Sequence, residues 1–401
     1  MSFITKITAE TIADSRGRAT IKVTARTKDN FASCAVPSGA STGKLEALEL
    51  RDSDGQMNQA QDSVNQINEL LLGVEVTAQE KIDQMMIDAD GTTNKARLGG
   101  NAILGVSIAC AKLAALETGK TFKDYLKEKY NQGQTETNPK LFMNLINAGA
   151  HGPYGSPFQE YQIIPETNDP NEAYELGLGI FSELKEIVTK HQDQEPKTGD
   201  EGGFIIKDTS LRLPLDFLTD AINKKKSDTD VSIGLDIAAN SFFSAGAYRL
   251  GTEALNATAL TEIHLDLIDT YNIKYIEDPF QEEDFDSFKN LNQKVKSQVL
   301  IIGDDLTVTN PAKLKEAIEK DSLSALIIKP NQIGTLSETA ETINLAQTHN
   351  IKNIASHRSG ETLDDFIADI ALAFNCFGLK AGAPGAPFRD EKYSRLITLL
   401  R

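Results

Sequence analysis

Cysteine is scarce in this chain. Its 401 residues include three, Cys34, Cys110 and Cys376, far apart and without a CxxC pair. That argues against a disulfide scaffold and a thiolate metal site, and it fits a reducing compartment. Clustered positive charge is scarce too. Lysine and arginine number 41 against 58 aspartates and glutamates, a net charge of −17 with a pI near 4.8. So acidic a chain repels nucleic acid and anionic membrane unless its basic residues cluster. The run Lys224-Lys225-Lys226 reads as a solvated helix end or turn. The start, Met1-Ser-Phe-Ile-Thr-Lys-Ile-Thr, lacks an apolar h-region, so no secretory signal is expected. The most apolar stretch, around Ala102–Leu116, carries Ser107 and Lys112 and is short of a membrane span, so it reads as a buried helix. The expected location is the cytoplasm. The five histidines (His151, His191, His264, His349, His357) show no HxxxH spacing, which argues against a zinc protease.

What is present is ordinary globular material, 40% hydrophobic and 25% charged, enough for a large core. The length suggests two or three domains, or one large barrel with a smaller piece. Residues Thr20–Thr27 alternate as a half-buried strand, and Phe31–Val36 reads as its hairpin partner after the turn Lys28-Asp29-Asn30. A small-residue loop, 37–43, follows. Helical patterns then cover about Gln59–Leu71, Thr77–Ile87, Asn101–Glu117 and Thr121–Tyr130. This predicts an N-terminal α+β capping domain over residues 1–130. The polar stretch Asn131–Asn138 marks a boundary. Residues 139–401 have the size of a (β/α)₈ barrel. Short apolar runs end there in a polar residue: Asp236, Glu277, Asp304, Lys329, His357 and Lys380, at spacings of 41, 27, 25, 28 and 23. One strand, one helix and their loops take about 25–30 residues, so each step is one unit. The expected fold class is α/β, a TIM-type barrel whose strand ends converge on one mouth.

Three acids at such ends, Asp236, Glu277 and Asp304, would repel one another unless a cation held them. Hard oxygen donors suit Mg²⁺ or Mn²⁺. Lys329 and Lys380 should enter the same mouth, where a metal and a second lysine would lower a lysine pKa and make it a candidate base. Ser356-His-Arg-Ser-Gly-Glu-Thr362 offers Arg358 and Ser359 for a phosphate or carboxylate. Asp200-Glu201-Gly202-Gly203 and Gln159-Glu160 could supply a carboxyl of raised pKa as general acid. Each motif alone reads more simply: a capping acid, a structural ion pair, a solvated arginine, a plain turn. Gly39-Ala-Ser-Thr-Gly43-Lys44 is no P-loop, since it has three residues between its glycines and Leu45 where Ser or Thr belongs.

Taken together these motifs resemble the enolase family over nearly the whole chain. The matching strings include Asp14-Ser-Arg-Gly17, Val36-Pro-Ser-Gly-Ala-Ser-Thr-Gly43, Glu46-Ala-Leu-Glu-Leu-Arg-Asp52 and Asn101-Ala-Ile-Leu-Gly-Val-Ser107. In the barrel they include Gly199-Asp-Glu-Gly-Gly203, Ile276-Glu-Asp-Pro-Phe280, Gly303-Asp-Asp-Leu-Thr-Val-Thr-Asn-Pro311 and Asn331-Gln-Ile-Gly-Thr335. The resemblance implies Mg²⁺-dependent, reversible dehydration of 2-phosphoglycerate to phosphoenolpyruvate. It implies that Asp236, Glu277 and Asp304 ligate one Mg²⁺, and that Ser41, on a mobile loop 37–43, ligates a second that arrives with substrate. Lys329 would then be the base and Glu201 the acid, with Glu160 nearby. The cations would push the pKa of Lys329 down, while carboxyl neighbours would push that of Glu201 up. Lys380 would bind the substrate carboxylate, His151 and Gln159 would line the substrate, and His357, Arg358 and Ser359 would take the phosphate side.

The chain also departs from the family pattern. Arg18-Ala19 follow Asp14-Ser-Arg-Gly17 in place of Asn-Pro, Gly-Pro-Tyr-Gly-Ser-Pro follows His151, and Gly385-Ala-Pro-Phe-Arg389 replaces an Arg-x-Glu-Arg pattern. No acidic tail follows Leu399-Leu-Arg401. The resemblance implies a homo-oligomer, but the usual dimer contact joins the Asp-Ser-Arg-Gly arginine to that tail. Two alternatives stay open: another carboxylate-enolising enzyme of the wider superfamily, and an inactive enolase-like binding protein.

Overall fold

The computed structural model describes residues 1–39, 43, 45–131, 137–152, 155–296 and 298–401. Period-two alternation builds its first layer. Strands β1 (Lys6–Ala13), β2 (Ala19–Arg26) and β3 (Phe31–Ala35) form an antiparallel sheet in sequence order. Ile21, Val23 and Ala25 of β2 fall on its buried face. Helices α1 (Asn58–Leu71), α2 (Gln79–Asp90), α3 (Gly100–Glu117) and α4 (Phe122–Tyr130) follow, within three residues of the expected helix ends. Helix α3 has a mean hydropathy of 1.3, enough by composition for a membrane span, yet 83% of it is buried against the sheet and the other helices. A helix apolar all round is a core helix when protein surrounds it. Most of the expected boundary segment, residues 132–136, lies outside the described residues.

The second body begins at β4 (Lys140–Asn147) and continues with β5 (Glu160–Pro165), α5 (Pro170–Gln192), α6 (Leu213–Lys225) and β6 (Val231–Asp236). A small antiparallel sheet, β7 (Phe243–Ser244), β8 (Ala247–Leu250) and β9 (Glu253–Leu255), precedes α7 (Ala257–Thr270). Strand and helix then alternate: β10 (Ile273–Glu277), α8 (Phe285–Val295), β11 (Leu300–Gly303), α9 (Pro311–Glu319) and β12 (Ala325–Ile328). The series ends with α10 (Pro330–Ile333), α11 (Leu336–Thr348), β13 (Lys352–Ser356), α12 (Phe366–Ala373), β14 (Gly378–Lys380) and α13 (Pro387–Leu399). Helix α6 ends on Lys224 and Lys225, both exposed, as the basic run suggested.

Eight strands close the barrel in the order β10-β11-β12-β13-β14-β4-β5-β6. Strand β5 pairs antiparallel with both β4 and β6, and every other pair is parallel. The regular β/α alternation expected from the sequence therefore starts only after β6. Strands β4 and β5 are joined by a loop that carries the short 3₁₀ turn Gly149–His151. Phe142, Ile164, Tyr275, Ile302, Ala325, Ile327 and Ile354 form a separate apolar cluster inside the barrel. A Cβ on Gly378 would meet the Phe142 ring at 2.5 Å, so only glycine fits beside it on β14.

Candidate active site

The apolar cluster inside the barrel sets the height of the site. Side chains two apart on a strand share a face. Two positions above Phe142, Tyr275, Ile302, Ile327 and Ile354 stand Asn144, Glu277, Asp304, Lys329 and Ser356, and Lys380 stands two above Gly378. The polar layer thus rests on the apolar one at the C-terminal ends of the parallel strands, where such barrels build their sites. Because β5 runs the other way, its first residue, Glu160, reaches the same layer and pairs in register with Asp236.

Lys380 is the hub of that layer. Its Nζ lies 2.8 Å from Glu160 Oε2, 2.8 Å from Glu277 Oε2 and 3.5 Å from Asp236 Oδ2, with 2% of the side chain exposed. Burial opposes its charge, but the Glu160, Glu277 and Asp236 carboxylates prevail and hold the ammonium well above the usual lysine range. Lys329 Nζ donates to Asp304 Oδ2, and Gln332 Nε2 donates to Asp304 Oδ1 at 2.9 Å. The expected lowering of Lys329 rests on bound cations, and among the protein's own groups the balance runs the other way. Burial, Arg358 and Lys380 all push it down, yet Asp304 outweighs them and its pKa is raised. A lysine in that ion pair is an ammonium, and it becomes a base only when Asp304 is otherwise engaged.

The proton-donor wall is a second cluster. Glu201 accepts from Asn144 Nδ2, and its Oε1 lies 3.5 Å from His357 Nε2 and 3.9 Å from His151 Nε2. Burial and the charge of Glu160 push the Glu201 carboxyl up to about 8. Burial opposes ionisation of Glu160 as well, but Lys380 overcomes it and holds Glu160 at about 2. Burial keeps both imidazoles neutral, with His151 at about 4 and His357 well below its ordinary value. Gln159 Nε2 donates to Asp236 Oδ2 at 3.1 Å.

On the third side Arg358 forks onto Glu46 of the cap, NH1 at 2.9 Å from Oε2 and NH2 at 3.3 Å from Oε1, and also donates to Asn331 Oδ1 at 3.0 Å. Glu46, Gln332, Asn331 and Asn144 were assigned no role by the sequence reading. Three of them lie in the family strings, which was the available signal. The cap is stitched to this rim by backbone pairing of Ser38 with Gly360, 2.8 and 2.9 Å, and by Ala47 N on Gln332 O, 2.7 Å. Arg16 of the Asp-Ser-Arg-Gly string turns inward, to Asp14 Oδ2 at 3.2 Å and Ser38 Oγ at 3.1 Å. Ser41 lies outside the described residues.

These side chains line a small polar cavity. Lys329 and Glu201 line it, together with His151, Gln159, Glu160, His357, Arg358, Ser359 and Lys380, which were the expected substrate contacts, and with Asp304. Asp236 and Glu277 contact Lys380, which lines it. A groove beside α6, lined by Asn223, Lys226, Asp230 and Tyr271 among others, is roomier, so volume does not select the site. The donor set fits a hard divalent cation. Asp236, Glu277 and Asp304 present carboxylates at neighbouring strand ends, and Glu277 Oε1 is buried without a hydrogen-bond partner among the described residues. That trio does not bring its ligand atoms within 4.8 Å of one another; among the described residues His151–Glu160–Glu201 and Asp278–Asp304–Asp305 do. Asp278 accepts the backbone N–H of Asp304 at 2.9 Å and of Asp305 at 2.8 Å, so it orients the Asp304 loop.

Known proteins match this chain along its length. The family described as enolase, N-terminal domain, matches residues 4–126, and that described as enolase, C-terminal TIM barrel domain, matches residues 135–401. The enolase of Corynebacterium kroppenstedtii is 39% identical over 411 aligned positions, covering 100% of this chain and 95% of the relative. A closed barrel with an α+β cap and an amine and a neutral carboxyl around one polar cavity agrees with those matches, and the chain belongs to the enolase family, hydro-lyases that interconvert 2-phosphoglycerate and phosphoenolpyruvate.

Proposed function

We propose that Lys329 and Glu201 divide the dehydration of 2-phosphoglycerate between them. The observation that carries this reading is their placement in one buried cavity, an amine beside Asp304 and a carboxyl of raised pKa beside His151 and His357. Lys329 Nζ takes the C2 proton. The C2–H electron pair forms the C2=C3 bond, the C3–O bond breaks, and the Glu201 proton goes to the departing hydroxyl, which leaves as water. The reverse reaction uses the same groups with their proton states exchanged. Removing the C2 proton adds negative charge next to a carboxylate, and Lys380 is placed to meet it. Arg358 and Ser359 bind the phosphate and fix the orientation, while His151, Gln159, Glu160 and His357 line the reacting carbons and keep water out.

Asp236, Glu277 and Asp304 would hold one Mg²⁺, and Ser41 would help to hold a second. Bound there, Mg²⁺ supplies charge to the substrate carboxylate and engages the acids that otherwise keep Lys329 and Lys380 protonated. The domain reading is a cap over residues 1–130 and a catalytic barrel over 139–401. We further propose a cytoplasmic enzyme that binds a small phosphorylated carboxylate and neither nucleic acid nor membrane. Purified protein given 2-phosphoglycerate and Mg²⁺ should develop the ultraviolet absorbance of the enol double bond. A correctly folded sample that develops none would overturn the reading.

A further inference from the structure

Helix α13 begins in the segment that departs from the family pattern, and its third residue, Arg389, is among the most deeply buried large side chains in the protein, 2% exposed. No carboxylate pairs with it among the described residues. Its NH1 instead lies 2.7 Å from His357 Nδ1 and 2.6 Å from the Arg358 carbonyl oxygen. Its NH2 donates to the carbonyls of Asp200 at 2.9 Å and Ser359 at 2.7 Å. One guanidinium therefore ties the loop that carries Glu201 to the loop that carries His357, Arg358 and Ser359. Room for its stem is provided by Gly382, at φ +88°, where a Cβ would meet Arg389 Cδ at 2.9 Å and the Glu201 carbonyl at 2.8 Å.

A guanidinium has donors only. An imidazole nitrogen that faces it at 2.7 Å must accept, so Nδ1 carries no proton and the single ring proton sits on Nε2, the nitrogen facing Glu201 Oε1. In that tautomer the ring can donate to Glu201 but cannot take a proton from it. From this geometry we infer that Arg389 is a positioning residue, which locks His357 as the Nε2–H tautomer so that the Glu201 proton goes to the substrate hydroxyl, and which holds the acid loop and the phosphate loop in register. The inference deepens the reading of Glu201 as the acid and rests on it.

The test is nitrogen-15 NMR of the His357 ring, assigned with His357→Asn, in full-length protein, together with kinetics on 2-phosphoglycerate with Mg²⁺. In the unaltered protein Nδ1 should appear unprotonated and Nε2 protonated between pH 6 and 9. Arg389→Met should protonate Nδ1 in a substantial fraction of molecules and lower kcat on the order of 10²-fold, the cost of loosened catalytic geometry. Arg389→Lys, which keeps one donor to Nδ1, should restore the tautomer and part of kcat. A wild-type ring protonated on Nδ1, or an Arg389→Met protein with unchanged tautomer and kcat, would overturn the inference. The wild-type spectrum serves even where Arg389→Met fails to fold. Glu201→Gln separates the two layers of the argument. Full activity in that variant would remove Glu201 as the acid and leave the tautomer result standing.

Discussion

Glu160 and Glu201 stand in one buried wall with carboxyl oxygens within 4.8 Å of each other, and their pKa values are driven apart, to about 2 and about 8. Burial penalises both charges. Lys380 lies 2.8 Å from Glu160 and secures the negative charge there, and that charge then keeps the proton on Glu201. The pair holds one proton, on the member beside the two histidines.

A pH dependence follows with a definite sign. Dehydration needs Glu201 protonated, so on the alkaline side kcat should fall through a midpoint near 8 and drop about tenfold per further unit. The pH profile of kcat at saturating 2-phosphoglycerate and Mg²⁺ measures it. Glu160→Gln should move that midpoint down by removing the charge that holds it up, and a midpoint that stays in place would detach the limb from this pair.

Glu46 and a substrate phosphate make competing claims on Arg358. Removing one partner of a buried, hydrogen-bonded ion pair costs about 3–5 kcal/mol, so Glu46→Ala should lower the urea midpoint markedly. Inorganic phosphate should then raise the melting temperature of Glu46→Ala more than that of the unaltered protein. Equal shifts would show that Arg358 is not the shared group.

The contact of α3 with the cap sheet gives a prediction free of chemistry. A Cβ on Gly105 would press into Val23 Cγ2 and come within 3.1 Å of Val36 Cγ2. Alanine gains about 1 kcal/mol of helix propensity, while overpacking a stiff β-branched neighbour costs about 1–3 kcal/mol. Gly105→Ala should therefore lose roughly 1 kcal/mol in urea unfolding and keep kcat. A stabilised variant would show that β2 and α3 can separate cheaply.

Much of this site is legible in the sequence because it hangs on strand periodicity. Apolar runs that end in Asp236, Glu277, Asp304, Lys329 and Lys380 mark where strands stop, and period two places those side chains above the apolar layer. The reversed strand is not legible, since Glu-Tyr-Gln-Ile-Ile-Pro reads the same whichever way it runs. Glu46 and Gln332 escape for a different reason: they act through partners 312 and 28 residues away, pairings that no local pattern encodes. Arg389 shows in the sequence only as a break in a pattern, and its burial against His357 becomes visible once α13 is packed. The charge state of Lys329 depends on which nearby group wins, and in this structure Asp304 does.

The division of labour between Lys329 and Glu201 is tested most directly by following loss of the C2 proton of 2-phosphoglycerate in heavy water by proton NMR, with Mg²⁺ present, in Glu201→Gln and Lys329→Ala. Glu201→Gln should exchange the C2 proton for deuterium while forming almost no phosphoenolpyruvate, because its base is intact and its acid is gone. Lys329→Ala should do neither, with rates down by about 10²–10⁴-fold. Exchange at the unaltered rate in Lys329→Ala would contradict the account.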